Sequence, residues 1–230
     1  MIKLTSVASV AALLVAGSAT AATYTIKVED LVAGGPETGQ PMTPPVAVVH
    51  DASFALFEIG APASPGVEIV AEEGNPAPLV AEVDGLPGVS SAVVGSAGPF
   101  FDTVEFEVTA EAGDLLSIVS MFARSNDLIT GIHDVVLPAG GEMVFLTNTY
   151  DAGTEENSGL VAHIPFYGNA NAGIEEDGVI TMINAYSVLD DPDAGQIDYS
   201  FPPAARITIT VGDPTPVEEA TWGSIKNLFQ

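Results

Sequence analysis

The chain has 230 residues, 47% of them hydrophobic, and a formal charge of −26 from 31 acidic and only 5 basic side chains. That apolar content supports a buried core and excludes an acidic, disordered solvating chain. So few cations exclude a basic patch, and with it nucleic acid, heparin-like polyanions and anionic lipid as partners; divalent cations suit the chain instead.

In chain order, Lys3, an apolar run from Val7 to Ala16 and the small-residue step Ala19-Thr20-Ala21 read as a secretory signal peptide over residues 1–21. The protein is therefore expected to be secreted or extracellular, in the periplasm or at the cell surface. Loss of Lys3 turns −26 into −27, which disfavours Ca²⁺-bridged contact with anionic membranes. The chain has no Cys, so stability must come from a core, a metal or both.

Roughly 208 residues remain, enough for one large all-β domain, expected over residues 22–211. Tyr24, Ile26 and Val28 alternate with Thr25, Lys27 and Glu29, the period of a half-buried strand. The same alternation recurs at Val104, Phe106 and Val108, and at Ile207, Ile209 and Val211. Continuous apolar runs at Leu115–Phe122 and Met143–Leu146 predict central strands buried on both faces. Between them, Ser64 as cap, Pro65 at the first position and Gly74 as stop predict one short helix. A second short turn is expected from Asn75-Pro76 through Val80. Residues 157–198 are the least regular, and Asp190, Asp191 and Asp193 there read as a solvated loop that does not fit the EF-hand spacing. Residues 212–230 read as a Pro-containing linker followed by a short amphipathic tail with Trp222, Ile225, Leu228 and Phe229.

Chemistry concentrates in two loops. Ser125-Asn126-Asp127-Leu128-Ile129-Thr130-Gly131 and Tyr150-Asp151-Ala152-Gly153-Thr154-Glu155 carry acidic residues just beyond apolar, strand-like runs. Carboxylates crowd at a cost unless a cation neutralises them, and oxygen ligands from irregular loops suit a hard ion such as Ca²⁺. The same Asp residues can also serve as ordinary turn caps. His50-Asp51, His133-Asp134 and His163 leave open an exported metal-dependent hydrolase. No G-x-S-x-G is present, and Gly95-Ser96-Ala97-Gly98 has the wrong spacing for a nucleophile. Arg124 and Arg206 are expected to hold carboxylates near strand ends.

Several segments, in order, carry a family likeness: Thr43-Pro44-Pro45, Val49-His50-Asp51 and Leu56-Phe57-Glu58-Ile59-Gly60; Ala63-Ser64-Pro65-Gly66 through Asn75-Pro76; the two acidic loops; and Pro202-Pro203-Ala204-Ala205-Arg206-Ile207-Thr208-Ile209. Together they resemble the spondin domain of the extracellular-matrix F-spondins, which also occurs alone in secreted bacterial proteins. The resemblance implies an all-β, C2-like antiparallel β-sandwich with a short helical insertion and Ca²⁺ in loops at one end. It implies a non-enzymatic structural, adhesive or ligand-binding module whose partner is an extracellular protein or glycan. Its metal carboxylates fall on Asp127, Asp151 and Glu155. The last departs from the family, which usually has Asp there; Glu156 could substitute.

Overall fold

The computed structural model describes residues 21–32, 40–168, 172–183 and 203–212. The expected signal peptide, the Asp190–Asp193 cluster and the amphipathic tail lie outside these residues.

β1 (Ala22–Asp30) forms where the alternation predicts it, with Tyr24, Ile26 and Val28 fully buried. Burying each such side chain is worth about 1.5–3 kcal/mol. β1 pairs antiparallel with β4 (Thr103–Ala110) on one side and β10 (Ala205–Val211) on the other, and β7 (Glu142–Leu146) completes this four-stranded sheet. The second sheet has six strands in the order β3 (Val89–Val94), β2 (Val46–His50), β5 (Leu115–Met121), β6 (Leu128–Val136), β8 (Thr149–Asp151) and β9 (Thr181–Met182). The two sheets enclose one core, in which Ile26, Val49, Ile118 and Ile207 meet.

A third layer sets this fold apart from a plain sandwich. Helices α1 (Pro65–Glu73) and α2 (Pro76–Val83) cover the outer face of the six-stranded sheet. Val67, Val70, Leu79 and Val83 pack there against Val46, Val48, Val119 and Ile129. This is why β2 and β5 are buried on both faces. The local signals behave as the sequence implies: Ser64 Oγ accepts from Val67 N at 3.3 Å, and Gly74 ends α1 at φ 66°. α2 runs three residues past the expected Val80, to Val83.

One strand differs from expectation. Met143–Leu146 is not central: β7 is an edge strand, with Val144 52% and Leu146 60% exposed. A continuous apolar run cannot by itself distinguish a two-sided core strand from an edge strand that keeps one apolar face outward. Among the described residues, no helix is long and apolar enough to cross a membrane.

Candidate metal centre

The acidic loops meet at one end of β6 and β8. Leu128 stands opposite Asp151 in the ladder, so Asp127 sits just before the first pair and Asp151 closes it. The stretch after Asp127 is strand, not loop: Gly131 pairs with Val119, and a Cβ on it would land on the carbonyl oxygen of Ile118. That glycine answers to strand packing, whereas Gly153, at φ 70°, is a true turn glycine beside Asp151.

Asp127 is 0% exposed. Its Oδ2 accepts from Thr154 N at 2.8 Å, Glu155 N at 3.0 Å and Thr154 Oγ1 at 3.2 Å. Its other oxygen, Oδ1, is buried with no hydrogen-bond partner. Among the described residues no ammonium or guanidinium group pairs with it. Burial, and next the charge of Asp151, push the Asp127 carboxyl well above its ordinary range, against the three bonds that favour the anion.

Asp151 is half-buried and its oxygens are spoken for in part. Oδ1 accepts from Gly153 N at 2.8 Å and Oδ2 from Asn157 Nδ2 at 2.7 Å. Each carboxylate oxygen has two lone pairs, so both keep capacity for a ligand.

Glu155 is placed differently. Its backbone N–H serves Asp127, but its carboxylate lies over Gly173 and takes a 3.4 Å contact from Asn126 Nδ2. Burial raises its pKa, and Glu175 adds to the rise. Glu155 and Glu175 face each other in an isolated antiparallel bridge, extended by Glu156 N to Ile174 O at 2.7 Å and Glu176 N to Thr154 O at 2.7 Å. Glu156 itself is exposed. The structure thus sets Asp127 next to Asp151 across the β6–β8 ladder, close enough for the Asp151 charge to raise the Asp127 pKa, and joins Asp127 to the main chain of Glu155.

A further buried carboxylate lies close by. Glu72 of α1 is 6% exposed, and burial pushes its pKa up to about 7, with Glu155, Glu175 and Glu68 adding to the rise while Thr154 opposes it. Its signal was hidden because Glu72 reads as a surface position of a short helix.

The histidines are divided between the two ends of the β5–β6 pair. His50 is fully buried opposite Leu115. Its Nδ1 donates to the Asp51 carbonyl at 2.9 Å, and its Nε2 meets Ser117 Oγ at 2.8 Å, with Asp134 Oδ1 3.8 Å from the same nitrogen. Ser117 Oγ in turn accepts from Asp134 N at 3.0 Å. His133 Nδ1 lies 3.2 Å from Asp134 Oδ2 on the surface. His163 is at the other end, where its carbonyl accepts from Asn126 Nδ2 at 3.2 Å and its Nδ1 meets Ser158 Oγ at 3.0 Å. Ser96 Oγ donates to Gly98 O at 2.8 Å within its own turn. Arg206 reaches Glu29 through one nitrogen at 3.5 Å, across the β1–β10 register. The Arg124 guanidinium lies 4.6 Å from the centre of the Phe166 ring.

A search of curated proteins gives no match to this chain. The family model Spondin_N matches residues 36–168, a span that holds α1, α2 and both acidic loops. That span is more than half of the sequence, and the chain belongs to the spondin N-terminal domain family.

Proposed function

We propose that this chain is a secreted, Ca²⁺-binding spondin module, a binding or structural protein and not an enzyme, whose ligand is an extracellular protein or glycan. The observation that carries the Ca²⁺ reading is the buried, donorless Oδ1 of Asp127 beside the carboxylate of Asp151. An anionic oxygen buried without a partner costs several kcal/mol unless it is neutralised. The donor set here is oxygen only, which suits a hard cation. Asp127 and Asp151 are the side chains that would hold the ion; Glu155 contributes its N–H to orient Asp127, and its carboxylate stands nearby. Bound Ca²⁺ supplies the positive charge that lets Asp127 ionise in a buried site. Thr154 and Glu155 fix the direction of Oδ1 by occupying Oδ2.

The test is thermal unfolding in EGTA and across a Ca²⁺ titration, with Mg²⁺ as control and Asp151→Ala alongside. Extracellular Ca²⁺ modules commonly bind with dissociation constants of about 10⁻⁴–10⁻³ M. A hundredfold excess over the dissociation constant adds about 2.7 kcal/mol. A Ca²⁺-selective rise in Tm that disappears in the variant supports the reading. An unchanged Tm at millimolar Ca²⁺ overturns it.

A further inference from the structure

Helix α1 carries Glu68 and Glu72 one turn apart, on the same face. Glu175, from the strip that pairs with residues 154–156, closes on them: one oxygen from each of the three side chains lies within 4.8 Å of the others. Acidic residues often gather at surfaces without consequence. Here, however, Glu72 is 6% exposed and its Oε1 is buried with no hydrogen-bond partner. Two further costs fall on the same point. Like charges at i and i+4 destabilise a helix, and Glu72 lies in the last turn of α1, where the helix dipole disfavours an anion and no basic residue is present. Among the described residues, no Lys, Arg or His forms an ion pair with any of the three.

We propose that Glu68, Glu72 and Glu175 form a second site for a hard divalent cation, which ties helix α1 to the 174–176 strip. Oxygen-only ligands and the absence of His or Cys select Ca²⁺ or a similar hard ion over zinc or copper. This ligand set shares no residue with Asp127 and Asp151. Glu175 lies beyond residues 36–168, so this ligand set reaches past the part of the chain matched to the family. The two sites flank one segment: Thr154 bonds Asp127 directly, and it also stands beside Glu72.

The experiment is to count bound Ca²⁺ on the full chain by equilibrium dialysis and calorimetric titration. Three proteins are compared: the unaltered chain, Glu68→Gln with Glu175→Gln, and Asp151→Asn. Glu68 is only partly buried and Glu175 is exposed, so the double variant is expected to keep its fold, checked by its circular dichroism and its Tm in EGTA. Two ions on the unaltered chain, one on the double variant and one on Asp151→Asn is the expected result. A single ion lost only in the double variant also supports this site, while removing the Asp127–Asp151 site. Unchanged stoichiometry in the double variant overturns the second site whatever Asp151→Asn does. Absence of any binding at 10 mM Ca²⁺, a concentration about tenfold above the weak end for extracellular modules, overturns both. Should the double variant fail to fold, Glu175→Gln alone, at an exposed position, gives the same readout, and an undiminished count there overturns the proposal.

Discussion

Thr154 gives both its N–H, at 2.8 Å, and its hydroxyl, at 3.2 Å, to a single oxygen of Asp127. With Glu155 N at 3.0 Å, that oxygen braces the whole turn after β8, while its twin has no donor. The two oxygens therefore do separable jobs, and two substitutions separate them. Asp127→Asn keeps an oxygen for the three donors and removes a desolvated charge. It is expected to match or exceed the parent's stability in EGTA and to lose the Ca²⁺ response. Asp127→Ala strands buried donors and is expected to cost about 2–3 kcal/mol with or without Ca²⁺. Urea unfolding of both variants in EGTA and in millimolar Ca²⁺ gives the answer. Equal losses in the two variants without metal would mean that the charge itself, and not the brace, holds the turn.

The chain Asp51 carbonyl, His50, Ser117 hydroxyl and Asp134 N–H links β2, β5 and β6, with His50 and Ser117 at its centre fully buried. Ser117 Oγ bridges the His50 ring and the Asp134 N–H, so removing it strands both. Ser117→Ala is expected to destabilise by about 1–3 kcal/mol and to leave the Ca²⁺-induced shift in Tm untouched, because the acidic loops lie at the opposite end of β5 and β6. A denaturation series with and without Ca²⁺ measures both quantities. A changed metal response would show that the two ends are coupled through the strands.

How much of this was legible depended on range in sequence. The outer strands could be read because alternation is local: Tyr24, Ile26 and Val28 show it without reference to anything else. The α1 caps could be read for the same reason, since Ser64 and Gly74 act on their own helix. The two acidic loops could be picked out from motifs in order, but the position of the Glu155 carboxylate could not. It turns on Gly173 and Glu175, which meet it only through a bridge formed in the folded chain. Glu72 was invisible for a related reason: its burial comes from neighbours contributed by other segments. Nor could the apolar run Met143–Leu146 declare that it would lie at a sheet edge, because strand order is a property of the whole topology.

That edge position has a measurable consequence. Leu146 is 60% exposed on β7, whereas Val119 of β5 is 0% exposed between the two sheets' core and the helices. Leu146→Lys is expected to change stability by less than about 0.5 kcal/mol, and Val119→Ala to cost about 2 kcal/mol or more. An exposed apolar edge is also a template for strand pairing between chains. Leu146→Lys should therefore lower self-association in sedimentation at high concentration. A loss comparable to Val119→Ala would place β7 inside the sheet after all.

Asp30 ends β1 with a carboxylate that accepts from Val32 N at 3.0 Å, yet burial, with Asp102 adding to it, pushes its pKa up to about 7. The sign follows from comparing proton binding in the two states. Between the ordinary Asp pKa of 3.8 and about 7, the folded protein holds a proton on Asp30 that the unfolded chain has lost. Stability from this group is therefore complete below about pH 4, falls as pH rises and is gone above about pH 7. Asn keeps the oxygen that Val32 needs and carries no charge to desolvate. Asp30→Asn is expected to raise stability at pH 8 by an amount on the order of 2 kcal/mol, after allowing for solvent screening, and to change little at pH 4. Urea midpoints across pH 4–8 for the two proteins, in EGTA so that the acidic loops contribute equally, test the claim. A gap that is constant with pH would assign the effect to packing, and a gap that widens toward low pH would reverse the sign of the argument.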